Sequence, residues 1–132
     1  MSELQNTFSY QWFQNVWNES REEYIDQMVD GSAIITGLQE ELTGPSGFKV
    51  FYYGFRNGFD KIFVTVTSVI SHDDGEEAFC HVTAVHKASG RPVDFTGKCR
   101  LKLSGNKIIE ATNDFDFATM NEQISAVEDV LQ

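Results

Sequence analysis

The residue of this sequence best suited to acid–base chemistry is Asp116, an aspartate between two phenylalanines near the end of the chain. A carboxyl group held among Phe95, Phe115 and Phe117 would be poorly solvated, and poor solvation raises the pKa of a carboxyl group. A raised pKa suits proton transfer near neutral pH. Asp116 also precedes an apolar pattern with helical spacing, where aspartate is a preferred N-cap. The sequence therefore predicts a proton-transfer group, a helix cap, or both in one residue.

Three further polar side chains are candidates for positioning the oxygen atoms of a bound molecule. Asn113 precedes Asp116 by three residues, and its amide could donate to a developing oxyanion, although an ordinary polar residue at a strand end is the alternative. His86 ends an apolar strand face, either as a proton-transfer partner for Asp116 or as a hydrogen-bonded residue of the rim. Tyr52 lies in an apolar helical stripe, so its hydroxyl must bind a substrate oxygen or a backbone carbonyl.

The two cysteines, Cys80 and Cys99, are better explained as core residues than as catalytic ones. A two-residue turn at Ser89-Gly90 would set them directly opposite each other on neighbouring strands, as small apolar fillers. The same register points His81 and His86 to opposite faces, against the convergence that a metal site needs. Two cysteines could still form one disulfide, but a net-acidic protein without a secretion signal should meet a reducing cytoplasm, so we expect reduced thiols. We also expect no bound metal.

Composition limits the classes of protein to which this chain can belong. Its 132 residues are 41% hydrophobic and include eleven Phe, which is enough for one core. The formal net charge of −10 opposes binding to nucleic acid, whose phosphates require basic partners. No apolar run is long enough to cross a bilayer, and the first residues lack the pattern of a signal peptide. We expect one cytoplasmic domain over residues 1–132, with neither nucleic acid nor membrane as a partner.

Apolar spacing predicts helices in the first half of the chain. A stripe of large rings indicates a helix over about 7–18, packed in the core. Ser20 and Glu23 match a capping box for a second short helix that ends near Asp30-Gly31. Gly44-Pro45 opens a third helix, because proline at the first helical position loses no needed N–H. The buried side of that helix comprises Phe48, Phe51, Tyr52, Phe55 and Phe59.

The apolar period changes to two from Ile62 onward, which predicts strands after a first short strand at 32–36. Tight turns are indicated at Asp73-Asp74-Gly75, Ser89-Gly90 and Gly105-Asn106, so four strands form an antiparallel meander. A last helix follows, with apolar positions Phe117, Met120, Ile124 and Val127.

The turn at Gly105-Asn106 leaves two registers open for the last strand. A two-residue turn points Asn113 and Asp116 to opposite faces. One additional residue turns the apolar side of the strand, with Asn113, towards the core. We favour this second register, in which Asp116 swings inward at a bend or bulge. The side chains that it places on the apolar face are Ile109, Ala111, Asn113 and Phe115.

Four groups of residues between Trp12 and Met120 share their order and spacing with a known family. They are Trp12-Phe13 with Val16-Trp17-Asn18, Gly44-Pro45 with Gly47-Phe48-Lys49 and Phe51-Tyr52, Gly90-Arg91-Pro92-Val93 with Phe95-Thr96-Gly97, and Asn113 with Asp116-Phe117. In these groups the chain resembles the SnoaL-like branch of the nuclear transport factor 2-like proteins. The resemblance implies an α+β fold in which helices close a strongly bent antiparallel sheet into a cone with an apolar pocket.

The resemblance also implies a chemistry. In cyclases of that family one aspartate near the end of the last strand serves as acid and base in an intramolecular aldol closure, without metal or cofactor, and Asp116 is the matching position. The leading hypothesis is an enzyme that cyclises, isomerises, dehydrates or hydrolyses a small, largely apolar molecule. Asp116 would move the proton while Asn113, His86 and Tyr52 position oxygen atoms. The alternative is a non-catalytic module that binds a small ligand or a protein, since one fold can host both.

The outer face of the predicted sheet indicates a homodimer. Phe79 lies among polar and charged residues of this face, and Phe63 and Val69 extend its apolar part. An exposed patch of this kind usually marks a protein contact. Across a two-fold axis, basic residues such as Lys98 must meet acidic ones, for which Asp94 is the nearest candidate. Frequent dimers in the family that the chain resembles favour the same assembly.

Overall fold

The computed structural model describes the backbone of residues 3–131 and the side chains of residues 3–125. Val127, predicted on the apolar side of the last helix, is outside the described side chains. None of the described helices is long and apolar enough to cross a membrane. The helices are Phe8–Trp12 (α1), Glu23–Met28 (α2), Gly44–Gly58 (α3) and Phe117–Leu131 (α4), with a 3₁₀ turn over Leu4–Asn6 and a π-helix over Phe13–Asn18. The strands are Val29–Thr36 (β1), Leu42–Thr43 (β2), Phe59–His72 (β3), Gly75–His86 (β4), Pro92–Ser104 (β5) and Lys107–Phe115 (β6).

The strands form one curved sheet in the order β2-β1-β6-β5-β4-β3. Strands β3 to β6 pair antiparallel with their neighbours in sequence, so the predicted meander is confirmed. The predicted strand at 32–36 is found as β1, which begins earlier, at Val29, and pairs parallel with β6. The sheet is therefore antiparallel except at this pair. The short strand β2, which pairs with β1, was not predicted.

The predicted first helix at 7–18 is present but changes type after Trp12. Its second part, Phe13–Asn18, is a π-helix, in which hydrogen bonds join residues five apart instead of four. This winding brings residues five apart onto one side. As a result Trp12 and Trp17 both contact Phe48, with ring centroids 5.1 and 6.3 Å away.

The predicted capping box at Ser20 and Glu23 is wrong. Ser20 has a φ of +58°, and its hydroxyl accepts a hydrogen bond from Arg56 Nη2 at 2.8 Å. Glu22 occupies the N-cap position of α2 and makes no side-chain cap bond. A contact with α3 thus replaces the local cap. The helix ends at Met28, two residues before the predicted end.

The predicted β4–β5 register is wrong by two residues. Cys80 pairs with Gly97 and Cys99 with Ala78, because the five residues Lys87–Arg91 connect the strands instead of a two-residue turn. An even shift keeps every side chain on its predicted face. Both thiols therefore still lie in the core, but they are not directly opposite each other.

The hairpin at Gly105-Asn106 combines the two registers that the sequence left open. Next to the turn the strands pair as a two-residue turn requires, and a bulge at Ile109 then shifts the pairing by one residue. Asn113 consequently pairs with Cys99, in the register that we favoured. Ile109, predicted on the apolar face, is exposed, and Ile108 is buried in its place.

Helices cover the inner face of the sheet, and two polar side chains tie them to it. Glu76 of β4 accepts hydrogen bonds from the Phe8 and Ser9 N–H groups at 3.1 and 2.7 Å, in addition to the local N-cap of α1, Thr7. Asn18, at the end of the π-helix, accepts a hydrogen bond from the Val64 N–H at 2.7 Å and donates one to the Val64 carbonyl at 2.9 Å. Val64 lies on the edge strand β3. The two bonds from Asn18 therefore satisfy backbone groups of Val64 that the sheet leaves unpaired.

We predict that Cys80 and Cys99 resist thiol reagents in the folded protein. Both are buried and free, and burial raises the pKa of Cys80 to about 12 and also raises the pKa of Cys99. At pH 8 they should react about a thousandfold or more slowly than exposed cysteines. Titration after unfolding without reductant should count two thiols. Rapid reaction in the native state would contradict their place in the core, and a count of zero after unfolding would show a disulfide.

Candidate functional site

An apolar cavity of about 60 Å³ lies between the helices and the inner face of the sheet, and we call it the aromatic cavity. Ligand pockets usually measure about 300 Å³ or more, so the aromatic cavity admits a ligand of ordinary size only if its rings move apart. The lining residues are Trp12, Phe13, Trp17, Leu38, Phe48, Phe51, Phe55, Ile62, Val64, Val82, Phe95, Asn113, Phe115 and Phe117.

Trp17 joins the π-helix to α3 at this cavity. The third helix begins at Gly44-Pro45, as predicted, and presents its stripe of rings to Trp17. Phe59, predicted in the same stripe, is instead the first residue of β3 and stacks on Phe55 with ring centroids 4.5 Å apart. The four α3 rings whose centroids lie 4.8 to 6.3 Å from Trp17 are Phe48, Phe51, Tyr52 and Phe55.

Asn113 is the polar residue of the aromatic cavity. Its Nδ2 donates a hydrogen bond to the Thr36 carbonyl of β1 at 2.9 Å, and within the described residues its Oδ1 has no partner. No fully buried side-chain polar atom in that part of the chain lacks a partner, so Oδ1 is not fully buried. The strand pairing of β6 therefore holds an amide acceptor at the cavity wall.

Trp12 and Trp17 add hydrogen-bond donors to the same cavity. Both rings are buried and line the cavity, and neither indole N–H has a partner among the side chains and backbone groups described. Neither indole nitrogen is therefore fully buried. Sequence reasoning assigned the two rings to the core. Their spacing of five residues was the available signal, because it places both on one side only in a π-helix.

Tyr52 is buried beside the aromatic cavity rather than in its lining. Its hydroxyl donates a hydrogen bond to the Val16 carbonyl at 2.8 Å. Of the two predicted partners, a substrate oxygen and a backbone carbonyl, the structure therefore has the backbone carbonyl. Burial raises the pKa of Tyr52 still further above neutrality.

His86 lies at the rim of the fold and does not line the aromatic cavity. Its Nδ1 is 2.8 Å from the Ser89 hydroxyl, and its ring centroid is 5.2 Å from that of Phe59. The structure therefore does not bring His86 and Asp116 together in this cavity. Among the described residues, no three His, Cys, Asp or Glu side chains converge as metal ligands would.

Asp116 caps α4 and is exposed outside the aromatic cavity. Its Oδ1 accepts a hydrogen bond from the Thr119 N–H at 3.0 Å, and its Oδ2 accepts one from the Thr119 hydroxyl at 2.7 Å. These bonds hold the pKa of Asp116 below its usual value, and the bond from the Thr119 hydroxyl contributes most. The predicted raised pKa is therefore wrong. The predicted inward swing is also wrong. Phe115 and Phe117 on either side line the cavity, while the carboxylate between them turns back onto α4.

Comparison with known proteins gives a family match over most of the chain. The family model described as SnoaL-like polyketide cyclase matches residues 7–124. No curated protein sequence matches significantly.

Several solved structures share the fold. A candidate SnoaL-like polyketide cyclase from Jannaschia sp. CCS1 superposes with a TM-score of 0.81 at 17% identity, over 90% of each chain. A candidate polyketide cyclase from Bacillus cereus has a TM-score of 0.79 at 22% identity, over 89% of this chain and 78% of that one. A ketosteroid isomerase-like protein from Catenulispora acidiphila, solved with trimethylamine, has a TM-score of 0.80 at 12% identity, over 89% and 92%. These similarities confirm the predicted α+β fold.

The cap at Asp116 predicts a pH-dependent loss of stability in Asp116→Ala. A carboxyl group with a lowered pKa stabilises the folded state above its unfolded pKa, near 3.8, and this contribution is lost as the pH falls through the lower folded value. We expect Asp116→Ala to lower the Tm by about 2 to 5 °C at pH 7, and the difference should shrink below about pH 3.8. Thermal unfolding followed by circular dichroism measures it. Asp116→Asn, which still caps, is the control, and an unchanged Tm in the alanine variant would show that the cap does not stabilise the fold.

Proposed function

Because the chain belongs to the SnoaL-like polyketide cyclase family, we propose that it is a small-molecule enzyme doing acid–base chemistry without metal or cofactor. The reaction would be an aldol closure, isomerisation, dehydration or hydrolysis of a largely apolar molecule bound in the aromatic cavity. The observation that carries the proposal is the lining of this cavity, which is apolar except for Asn113 among the residues described.

The lining favours an uncharged substrate that carries oxygen. No charged side chain of the described residues lines the cavity, and an ion would lose its hydration there without compensation. Asn113 Oδ1 can accept a hydrogen bond from a substrate hydroxyl, while the indole N–H groups of Trp12 and Trp17 can donate to a carbonyl oxygen. We place the protein in the cytoplasm, where the thiols of its core stay reduced.

Asp116 is the proposed proton-transfer residue. Its position matches the aspartate of the family cyclases, and both of its neighbours, Phe115 and Phe117, line the cavity. The carboxylate is ionised near neutral pH, but the bonds from Thr119 lower its pKa and make it a weaker base while it caps α4. To act, the carboxylate must leave Thr119 and rotate towards the cavity.

Tyr52 and His86 contribute less to this proposal than Asn113 does. Neither residue lines the aromatic cavity, and the Tyr52 hydroxyl and His86 Nδ1 already bond to Val16 and Ser89. We therefore assign the positioning of the substrate mainly to Asn113 and the two indole groups.

A non-catalytic binding module is the second candidate function. Both carboxylate oxygens of Asp116 are engaged by Thr119, and the cavity of about 60 Å³ is small for a substrate. The engaged carboxylate favours a protein that does not transform what it binds, whereas the small cavity constrains a ligand and a substrate alike.

The exchange of a carbon-bound proton distinguishes the two candidates. We use 4-phenylbutan-2-one, an apolar ketone whose hydrogens next to the carbonyl exchange with D₂O, and we follow their NMR signals. The enzyme should accelerate this exchange in the presence of EDTA, and Asp116→Asn should slow it about a hundredfold or more. Binding, measured by tryptophan fluorescence, should be the same in both proteins, because asparagine keeps the cap.

The matched control is Asp114→Asn, the same change two residues earlier on β6, which should exchange like the wild type. Full exchange by a folded Asp116→Asn protein would contradict the catalytic role of Asp116. Binding of the ketone without accelerated exchange in the wild type would favour the non-catalytic module.

We also propose that the outer face of the sheet forms a homodimer. Phe63 and Ile70 are 50% and 48% exposed, and Phe79 is half-buried. Val69, predicted on this face, packs against the core instead, because a bulge earlier in β3 reverses the two faces. Ile70, the next residue, points outward from the sheet in place of Val69.

The charges of this face are already partly paired within one subunit. Asp94 was predicted to meet basic residues of the partner subunit across the two-fold axis of the dimer. In the structure it contacts His81 of its own chain. Arg100 similarly pairs with Asp74 at 2.5 Å. Contact between subunits would therefore rest on the apolar residues of the face more than on the predicted pairing of Asp94.

Light scattering tests the assembly. We expect a mass of twice the 14.9 kDa of the chain at micromolar concentration, and Phe79→Glu should halve it, because an unpaired charge would be buried at the interface. Val50→Glu, a similar change on the exposed side of α3, is the control and should leave the mass unchanged. A wild-type mass of one chain would contradict the dimer, and a dimer that tolerates Phe79→Glu would place the interface elsewhere.

A further inference from the structure

A second cavity lies directly outside the aromatic cavity. It is a groove of about 290 Å³ between α3, α4 and the segment from Leu38 to Leu42, and we call it the α3–α4 groove. Its walls are apolar apart from Gln39 and Glu40, which are exposed at the rim. The two spaces are therefore neighbours, and the groove adds a polar rim to an apolar wall.

Four side chains separate the two spaces. Leu38, Phe51, Phe55 and Phe117 line both the aromatic cavity and the groove. Leu38 is buried, but the three phenylalanine rings are only half-buried, so they have room to turn towards solvent. If they turned, the two volumes of about 60 and 290 Å³ would join and together reach the range of ligand pockets.

Gly54 forms part of the groove wall and has no structural reason to be glycine. It lies inside the 15-residue helix α3, where glycine is less favourable than alanine. Its φ is not positive, and a Cβ added to it would meet nothing within 4 Å. The missing side chain therefore leaves open space in the groove.

We infer that Gly54 is a specificity-determining residue that keeps the α3–α4 groove open for the outer part of an elongated apolar substrate. The oxygen-bearing ring of that substrate occupies the aromatic cavity, and a hydrocarbon extension passes the three phenylalanine rings into the groove. The occupant follows from the continuity of the two spaces and from the apolar groove wall. This inference rests on the proposed function, because it extends the same site.

A homologous series of 4-alkylphenols, from ethyl to octyl, tests the inference through the quenching of tryptophan fluorescence. In the wild type the Kd should fall by about two- to fourfold for each added methylene as the chain enters the groove. Gly54→Leu fills the groove, so it should bind 4-ethylphenol like the wild type and lose the gain for the longer chains. Gly54→Ala should lose part of it.

Gly58→Leu is the matched control, because Gly58 lies at the end of the same helix, has open space around it and does not line the groove. It should bind the whole series like the wild type, and thermal unfolding should show that all three variants are folded. If folded Gly54→Leu and Gly54→Ala proteins bind 4-octylphenol as tightly as the wild type, the inference is overturned and the proposed function stands. If the wild type binds none of the phenols, the inference is overturned, and the exchange of 4-phenylbutan-2-one decides the proposed function separately.

Discussion

The rest of the structure depends on the two hydrogen bonds between the Asn18 carboxamide and the backbone of Val64. Val64 lies on an edge strand, whose outward N–H and C=O groups would otherwise be open to another chain. By engaging both groups, Asn18 fixes the end of the π-helix against the sheet, one residue after Trp17. The rings of α3 then pack around a tryptophan whose position is set. Sheet, helical layer and cavity therefore share one polar anchor.

The architecture could be predicted from the sequence because it follows from local patterns. The period of two after Ile62 predicts the meander, and Gly44-Pro45 predicts the start of α3. Features that depend on contacts distant in sequence could not be predicted. Ser20 has the pattern of a capping box, but Arg56 engages its hydroxyl, and the bulge at Ile109 is one residue that no turn signal specifies. Pattern determines which elements form, and distant contacts determine how they end.

In the candidate site, too, local patterns predict some features, and others depend on contacts that the sequence does not reveal. Asn113 could be placed on the apolar face because the apolar character of its strand selects one register. Asp116 could not be placed, since its orientation depends on whether its carboxylate finds a partner in α4, and Thr119 supplies both a hydroxyl and an N–H. A flanking pair of phenylalanines indicated an apolar environment for the residue, but the side chain between them points away. Neighbours in sequence define the surroundings of a backbone position, not those of its carboxylate.

The contact between Glu76 and the start of α1 has a consequence for the order in which the protein folds during synthesis. This helix has five residues and a local cap at Thr7, too little to persist alone in water, and the Glu76 carboxylate that binds its first N–H groups follows 67 residues after Ser9. The first strand likewise acquires its parallel neighbour only when β6 has been made. Contacts this distant in sequence slow folding. Trp12 and Trp17 are among the first residues to leave the ribosome, yet the wall that they form is among the last parts of the molecule to become fixed.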